Sequence, residues 1–238
     1  MRRKGIDAPD SYPVRDLKHV PRIFQQLGSG RPLWCRIRSG AGALGALPVQ
    51  TPEQAKSWIK YWKEMRGVPT ASFVLSEYLP GRDFGCQSVW KDGEPVLIKT
   101  YERLSYLGMG SQPARVSSVA ALAKTVFEPK VVDTCVKAIK LLGAKVSGVF
   151  SVDLKGDVRG VPCITEIGVG RFSSATNIFD LVGEHNMAKT FVRLARGQKV
   201  RIKDSYDAAP DWYMLRDIDG PPRIFHASTF SDNIRSVR

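Results

Sequence analysis

The apolar positions Val131, Val132, Cys135, Ala138, Ile139 and Leu142 recur at three- and four-residue spacing and predict a helix over residues 130–142 with one buried face. The same spacing at Leu17, Val20, Ile23, Phe24 and Leu27 predicts a helix over 16–27, capped by Asp16, with Pro21 against it. Thr51-Pro52-Glu53 offers a cap, a proline at the first helical position and an early acid, so a helix runs from there through Ala55, Trp58, Ile59 and Trp62 toward Met65. A further helix is predicted over 185–196. Strands are predicted at 32–37, 72–80, 83–91, 94–101, 146–154 and 162–167, with a short one starting at Val49. Asp92-Gly93 reads as a tight hairpin turn and residues 155–160 as another. Residues 5–14 read as extended, while 38–46, 103–117 and 168–176 read as loops. The tail from 200 carries aromatic strand-like pieces broken by Asp219-Gly220-Pro221-Pro222.

The order is a small α/β unit, a strand-rich hinge and a larger α+β unit, with no internal repeat. A cleft between two such lobes is a common place for a ligand. Hydrophobic residues make up 43% of the 238, enough for a real core. No apolar run approaches the roughly 18–20 residues a membrane span needs. The basic start Met1-Arg2-Arg3-Lys4 is not followed by the apolar stretch of a secretory signal, so a cytoplasmic protein is expected. The four cysteines lie no closer than 28 residues apart, which excludes a CxxC motif and reads as buried free thiols. His19, His185 and His226 are scattered and support no metal cluster. The net charge of +13 is compatible with nucleic acid, a polyphosphate ligand or a basic proteome. The basic residues are spread along the chain and no RRM, KH or zinc-finger pattern occurs, so nucleic acid is not the expected partner.

Three local patterns carry candidate chemistry. Asp153 ends one strand and Glu166 lies near the end of its hairpin partner. An antiparallel hairpin sets such positions side by side, and two carboxylates there are hard oxygen ligands suited to Mg²⁺. A pair of ordinary edge carboxylates has the same pattern, and Asp157 reads only as a turn residue. The loop Arg38-Ser39-Gly40-Ala41-Gly42-Ala43-Leu44-Gly45 lets backbone N–H groups approach a phosphate, with Arg36 and Arg38 adding charge. A flexible surface turn has this composition too, and no GxxxxGK[ST] is present. In Ser76-Glu77-Tyr78-Leu79-Pro80-Gly81-Arg82-Asp83 a strand stops at Pro-Gly, exposing backbone groups to a purine edge, with Asp83 placed for ribose hydroxyls. An ordinary strand connection is the alternative.

Taken in order, the glycine-rich loop, EYLPGRDF and VFSVDLKGD…ITEIGVGRF resemble the ATP-grasp superfamily, in its carbamoyl-phosphate-synthase-like and carboxylate–amine ligase branches. The likeness runs from GIDAP to about residue 185, and its third motif is the most specific. It implies an α+β ATP-grasp fold of two lobes, with an ATP cleft between them. Residues 1–75 would form the small lobe with its glycine-rich flap, and 76–238 the hinge and larger lobe with the metal-binding hairpin. Residue by residue, it implies that Arg36 contacts the α/β phosphates and that Gly40, Gly42 and Gly45 lie in the flap. Ser76, Glu77 and Leu79 fall at the adenine hinge and Asp83 at the ribose. Asp153 and Glu166 are the metal-binding acids, and Arg171 is the catalytic arginine that neutralises the transferred phosphoryl group. Arg103 and Arg115 are weaker candidates for a substrate carboxylate.

The chain departs from the family pattern in three places. The usual Glu-x-Asn reads Glu166-Ile167-Gly168, Arg36 stands for the usual lysine, and by the resemblance the N-terminal pre-ATP-grasp domain is expected to be missing. The resemblance implies ATP and Mg²⁺ as cofactors and an ADP-forming ligase that activates a small-molecule carboxylate as an acyl phosphate for attack by an amine. The alternative is a catalytically degenerate ATP-binding subunit that needs a partner chain. A second subunit supplying the missing domain, or a homo-oligomer, is the expected assembly, and no membrane partner is expected.

Overall fold

The structure is a computed structural model and describes residues 1–28, 30–39, 43–108 and 119–229. It contains two compact units. The first to be described comprises residues 9–80 with Gly108 and Val119. The second comprises residues 1–8, 81–107 and the described residues from 120 on.

In residues 9–80 four short strands, β1 (Ser11–Pro13), β2 (Leu33–Ile37), β3 (Leu47–Val49) and β4 (Phe73–Glu77), form an antiparallel sheet in the order β1-β4-β2-β3. Two helices, α1 (Val20–Leu27) and α2 (Pro52–Arg66), cover one face. Alternation along the strands sends Leu33, Cys35, Phe73 and Leu75 into that core, where they meet Val20, Ile23, Ala55 and Ile59. Thr51 caps α2 by accepting from the Gln54 amide at 3.2 Å. The helix expected over 16–27 is divided. Asp16 caps a 3-10 turn at Leu17–His19, and Pro21 then opens α1, where its missing N–H has no intrahelical partner to lose.

The second unit is built on a seven-stranded antiparallel sheet in the order β11-β10-β7-β6-β5-β8-β9. Its elements are β5 (Asp83–Lys91), β6 (Glu94–Tyr106), β7 (Ala120–Thr125), α3 (Pro129–Lys140), β8 (Gly148–Gly156) and β9 (Pro162–Val169). They are followed by α4 (Thr176–Phe179), α5 (Met187–Ala195), β10 (Trp212–Leu215) and β11 (Arg223–His226). Residues 103–106, expected to begin a loop, instead extend β6. The reason is non-local: β7 pairs with the end of β6, Tyr101 opposite Thr125 and Arg103 opposite Ala123.

The two faces of this sheet differ. Phe84, Cys86, Ile98, Phe150, Val152, Leu154 and Ile164 point to one face and pack on Val131, Cys135, Ala138 and Ile139 of α3. Ile6 joins that core, and the Ile164 amide donates to the Asp7 carbonyl at 2.9 Å. The opposite face is apolar only in patches. Met187 of α5 covers Val89, Leu97 and Val149, and Phe179 of α4 packs with Tyr101, Ala123 and Met214. By alternation the charged residues of the candidate site, toward the Asp83 end of β5, share this face. All four cysteines are buried and free, and burial pushes the Cys35 thiol up to about 12. Among the described residues no helix is long and apolar enough to cross a membrane.

Candidate active site

The β8–β9 register sets Asp153 directly opposite Glu166. A bulge follows at once, because Leu154 pairs with Ile164 and Thr165 is the extra residue. The Thr165 hydroxyl donates to the Asp153 carbonyl at 3.1 Å. Such bulges re-aim side chains beside functional sites. Across the sheet, Asp153 also lies opposite Gly85 of β5, and Gly85 opposite Tyr101 of β6. One row therefore runs Tyr101–Gly85–Asp153–Glu166. The glycine is required in this row. A Cβ at Gly85 would lie 2.3 Å from Cζ of Tyr101, so only a bare backbone lets that ring lie across it.

The neighbouring row is Arg103–Asp83–Lys155. Arg103 bridges the two rows. Its Nη1 donates to Asp83 Oδ1 at 2.8 Å and to the Phe84 carbonyl at 3.1 Å. Its Nη2 donates to the Tyr101 hydroxyl at 3.1 Å and to Asp153 Oδ1. The other Asp83 oxygen accepts from the Tyr106 hydroxyl at 2.6 Å, with Lys155 Nζ 3.7 Å away. The Arg103 side chain is only 10% exposed. Its burial alone would lower the guanidinium's proton affinity, but Tyr101, Asp153 and Asp83 raise it well above its ordinary value. Burial, and then Asp83, push the Tyr106 phenol up, so it stays a neutral donor.

Arg171 reaches back to Glu166, Nη2 to Oε1 at 2.8 Å. Both side chains are about half exposed or more, at 64% and 47%, so water screens the pair and it holds little energy. The loop that carries Arg171 is anchored from below. Buried Gln87 accepts from the Ser173 amide at 2.7 Å and the Thr176 hydroxyl at 3.1 Å, and donates to the Phe150 carbonyl at 2.9 Å. Arg171 also lies over Gly168, where a Cβ would sit 2.9 Å from its Nε. The guanidinium thus uses space that a side chain at 168 would need.

The structure brings together Asp83, Arg103, Asp153, Glu166 and Arg171, and adds Tyr101 and Tyr106. Arg103 stands in β6, not in a loop, so the reason for pairing it with Arg115 as a substrate contact is lost. Arg115 lies outside the described residues. Asp83 was expected at a ribose, and a ribose contact there requires one of its present bonds to yield.

The remaining candidates belong to residues 9–80. Arg36 lies opposite Val74 and is half-buried. By alternation it shares with Trp34 and Ser76 the sheet face turned from α1 and α2. Ser76 Oγ donates to the Trp34 carbonyl at 3.4 Å. Glu77, opposite Leu33, accepts from the Asp10 amide at 2.9 Å. Leu79 is buried. The Gly45 carbonyl accepts from Trp58 Nε1 at 2.9 Å, which ties the end of the glycine-rich loop to α2. Gly40 and Gly42 lie outside the described residues.

Among the described residues no group of three or more His, Cys, Asp or Glu could hold a metal ion. Two facing carboxylates nevertheless suit Mg²⁺, which takes one or two protein carboxylates and completes its shell with phosphate and water. A Cys- and His-rich zinc site is a different donor set, and these residues do not offer it.

No protein-family model matches the chain. It resembles the carboxyaminoimidazole synthase of Aspergillus clavatus, solved with ADP and 5-aminoimidazole ribonucleotide. That match has a TM-score of 0.68 and 14% identity, and covers 92% of this chain and 54% of that one. It likewise resembles the biotin carboxylase domain of the Hydrogenobacter thermophilus 2-oxoglutarate carboxylase, solved with MgADP, ADP and bicarbonate. Here the TM-score is 0.67 with 14% identity, over 90% of this chain and 47% of that one. The fold is ATP-grasp. In sequence the chain is 26% identical over 152 residues to probable alpha-L-glutamate ligases of Pseudomonas putida. That match covers 63% of this chain and 47% of the relative, so the chain spans about half the length of the curated relatives it matches.

Proposed function

We propose that this ATP-grasp chain is an ATP- and Mg²⁺-dependent, ADP-forming ligase that activates a carboxylate as an acyl phosphate for attack by an amine. One observation carries the reading: Asp153 and Glu166 face each other across a bulged hairpin, with Arg171 beside them. The Mg²⁺ that this pair would hold neutralises charge on the transferring phosphoryl group. The chain's own residues do the rest by position and charge. Arg171, on a loop pinned by Gln87, can leave its screened contact with Glu166 to meet the phosphoryl oxygens. Arg103 holds Asp153 in one rotamer, so the site is organised before nucleotide arrives. For residues 9–80 the proposed share is Arg36 and the Gly40–Gly45 loop toward the phosphates, and Ser76, Glu77 and Leu79 toward adenine. Four buried free thiols fit a reducing, cytoplasmic setting.

The named relatives guide the first substrate. ADP release should be measured with MgATP and glutamate, with and without an added amine. Release that depends on the carboxylic acid is the expected result. ATP binding without turnover across a panel of carboxylic acids would favour the second reading, a nucleotide-binding subunit completed by another chain. Gly168, which offers no side chain where the family pattern has an asparagine ligand, is the observation that favours that reading.

A further inference from the structure

The cluster on the sheet face contains three carboxylates, Asp83, Asp153 and Glu166, yet only two of them form the expected metal pair. Asp83 and Asp153 are joined to each other through a single cation, the Arg103 guanidinium, one nitrogen on each. The fork is ringed by oxygen. Besides the two carboxylates it meets the Phe84 carbonyl and the Tyr101 hydroxyl, each at 3.1 Å. Two carboxylates, a backbone carbonyl and a hydroxyl are a hard-oxygen donor set of the kind that binds a divalent cation. Here the chain fills it with its own positive group.

The arrangement is well fixed. Arg103 lies in a paired strand, opposite Asp83 on one side and Ala123 on the other. The Tyr101 ring that receives its Nη2 is seated over Gly85. Tyr106 holds Asp83 from the far side. A planar fork matches two carboxylates at once, which a lysine ammonium does not reproduce. Displacing the guanidinium would leave a buried charge unpaired, and that is costly. Gly168 adds no side-chain donor from the neighbouring strand.

We infer that Arg103 is a built-in cation occupying the position between Asp83 and Asp153, so that the Asp153–Glu166 pair takes one divalent ion and no second ion enters the cluster. This rests on the proposed nucleotide site and adds a metal count to it. In this role Arg103 is a positioning residue: it commits one Asp153 oxygen and leaves the acid a single-ion ligand.

The count can be read without turnover. Mn²⁺ binding is followed by electron paramagnetic resonance, with protein in excess over a non-hydrolysable ATP analogue. Wild type should bind one Mn²⁺ per bound nucleotide. Arg103→Met, shown to be folded by a cooperative melting transition, should bind two, because the Asp83–Asp153 position is then open. Two ions per nucleotide in wild type would overturn the inference, as would one ion in folded Arg103→Met. Should Arg103→Met fail to fold, the wild-type count decides alone. If the analogue does not bind at all, it is the functional reading that fails. Titration with Mn²⁺ alone then decides this inference: one site gained in Arg103→Met supports it, and no gain overturns it.

Discussion

Alanine in place of Asp153 or Glu166 should lower ADP formation by on the order of 10²–10³-fold, the scale on which removing one preorganised electrostatic contact slows an enzyme. The two variants should nevertheless differ in stability. Among the described residues the partner of Glu166 is Arg171, and both side chains are about half exposed or more, so Glu166→Ala should melt within a degree or two of wild type. Asp153 is one of the two carboxylates that neutralise buried Arg103, so its loss also leaves that guanidinium with fewer partners. Asp153→Ala should therefore lose both rate and melting temperature. Asp157 supplies the control. Its carboxylate caps its own turn, accepting from the Arg159 and Val161 amides at 2.8 and 2.9 Å. Asp157→Ala should lose about 1 kcal/mol of stability and none of the rate. Equal rates for Asp157→Ala and Glu166→Ala would remove the hairpin acids from the chemistry.

The largest structural effect is expected at Lys99, on β6. Its ammonium lies 3.1 Å from Asp180 and 3.0 Å from Asp207, and all three side chains are less than a tenth exposed. Both contacts are ion pairs by distance rather than well-directed hydrogen bonds. The carboxylates also organise backbone: Asp207 accepts from the Glu184 and His185 amides and Asp180 from Met187. Lys99→Met keeps the stem and deletes the charge, leaving two buried carboxylates without their cation. The expected loss is about 3–5 kcal/mol. For a chain of this size it corresponds to roughly 10 °C or more in melting temperature.

The deficit should depend on pH. Asp207 is held below the usual carboxylate range even though burial, the largest influence, opposes it, because the His185 and Glu184 amides donate to it and the Lys99 ammonium lies beside it. A depressed carboxylate contributes stability above its unfolded value and loses it as pH falls through the folded one. Asp180 runs the other way, raised by burial in spite of Lys99. Without Lys99 both carboxylates move upward. The gap between variant and wild type is then widest at neutral pH and narrows on acidification. A flat gap from pH 7 to pH 4, followed by thermal melting, would contradict this assignment of the triad.

What could be read from sequence follows from which contacts are local. The β8–β9 hairpin is local, and alternating apolar residues with a turn between them bring Asp153 near Glu166, while the bulge at Thr165 that sets them directly opposite is not legible in that pattern. The capped helix α2 announces itself through Thr51-Pro52-Glu53 in the same way. The last four residues of β6 do not. Beyond Arg103, which also pairs with β5, they are extended through pairing with β7, and β7 (Ala-Ala-Leu-Ala-Lys-Thr) has few of the β-branched and aromatic residues that mark a strand. That omission placed Arg103 in a loop and hid its role, since its partners come from β5, β8 and its own strand. The Gln87 anchor and the Lys99 triad were hidden for the same reason, as each joins residues distant along the chain. Gly85 is legible only in retrospect, because its need for no side chain comes from a tyrosine on the next strand. The ATP-grasp likeness supplied what periodicity could not, namely the order of the three motifs.

The Asp153–Glu166 pair is proposed to make this chain a magnesium-dependent nucleotide binder. Calorimetric titration with a non-hydrolysable ATP analogue, with and without Mg²⁺, on wild type and Glu166→Ala, tests it most directly. Wild type should bind the analogue more strongly with Mg²⁺, and Glu166→Ala should lose the Mg²⁺ dependence. Binding indifferent to Mg²⁺, or a Glu166→Ala variant that responds to Mg²⁺ as wild type does, would contradict it.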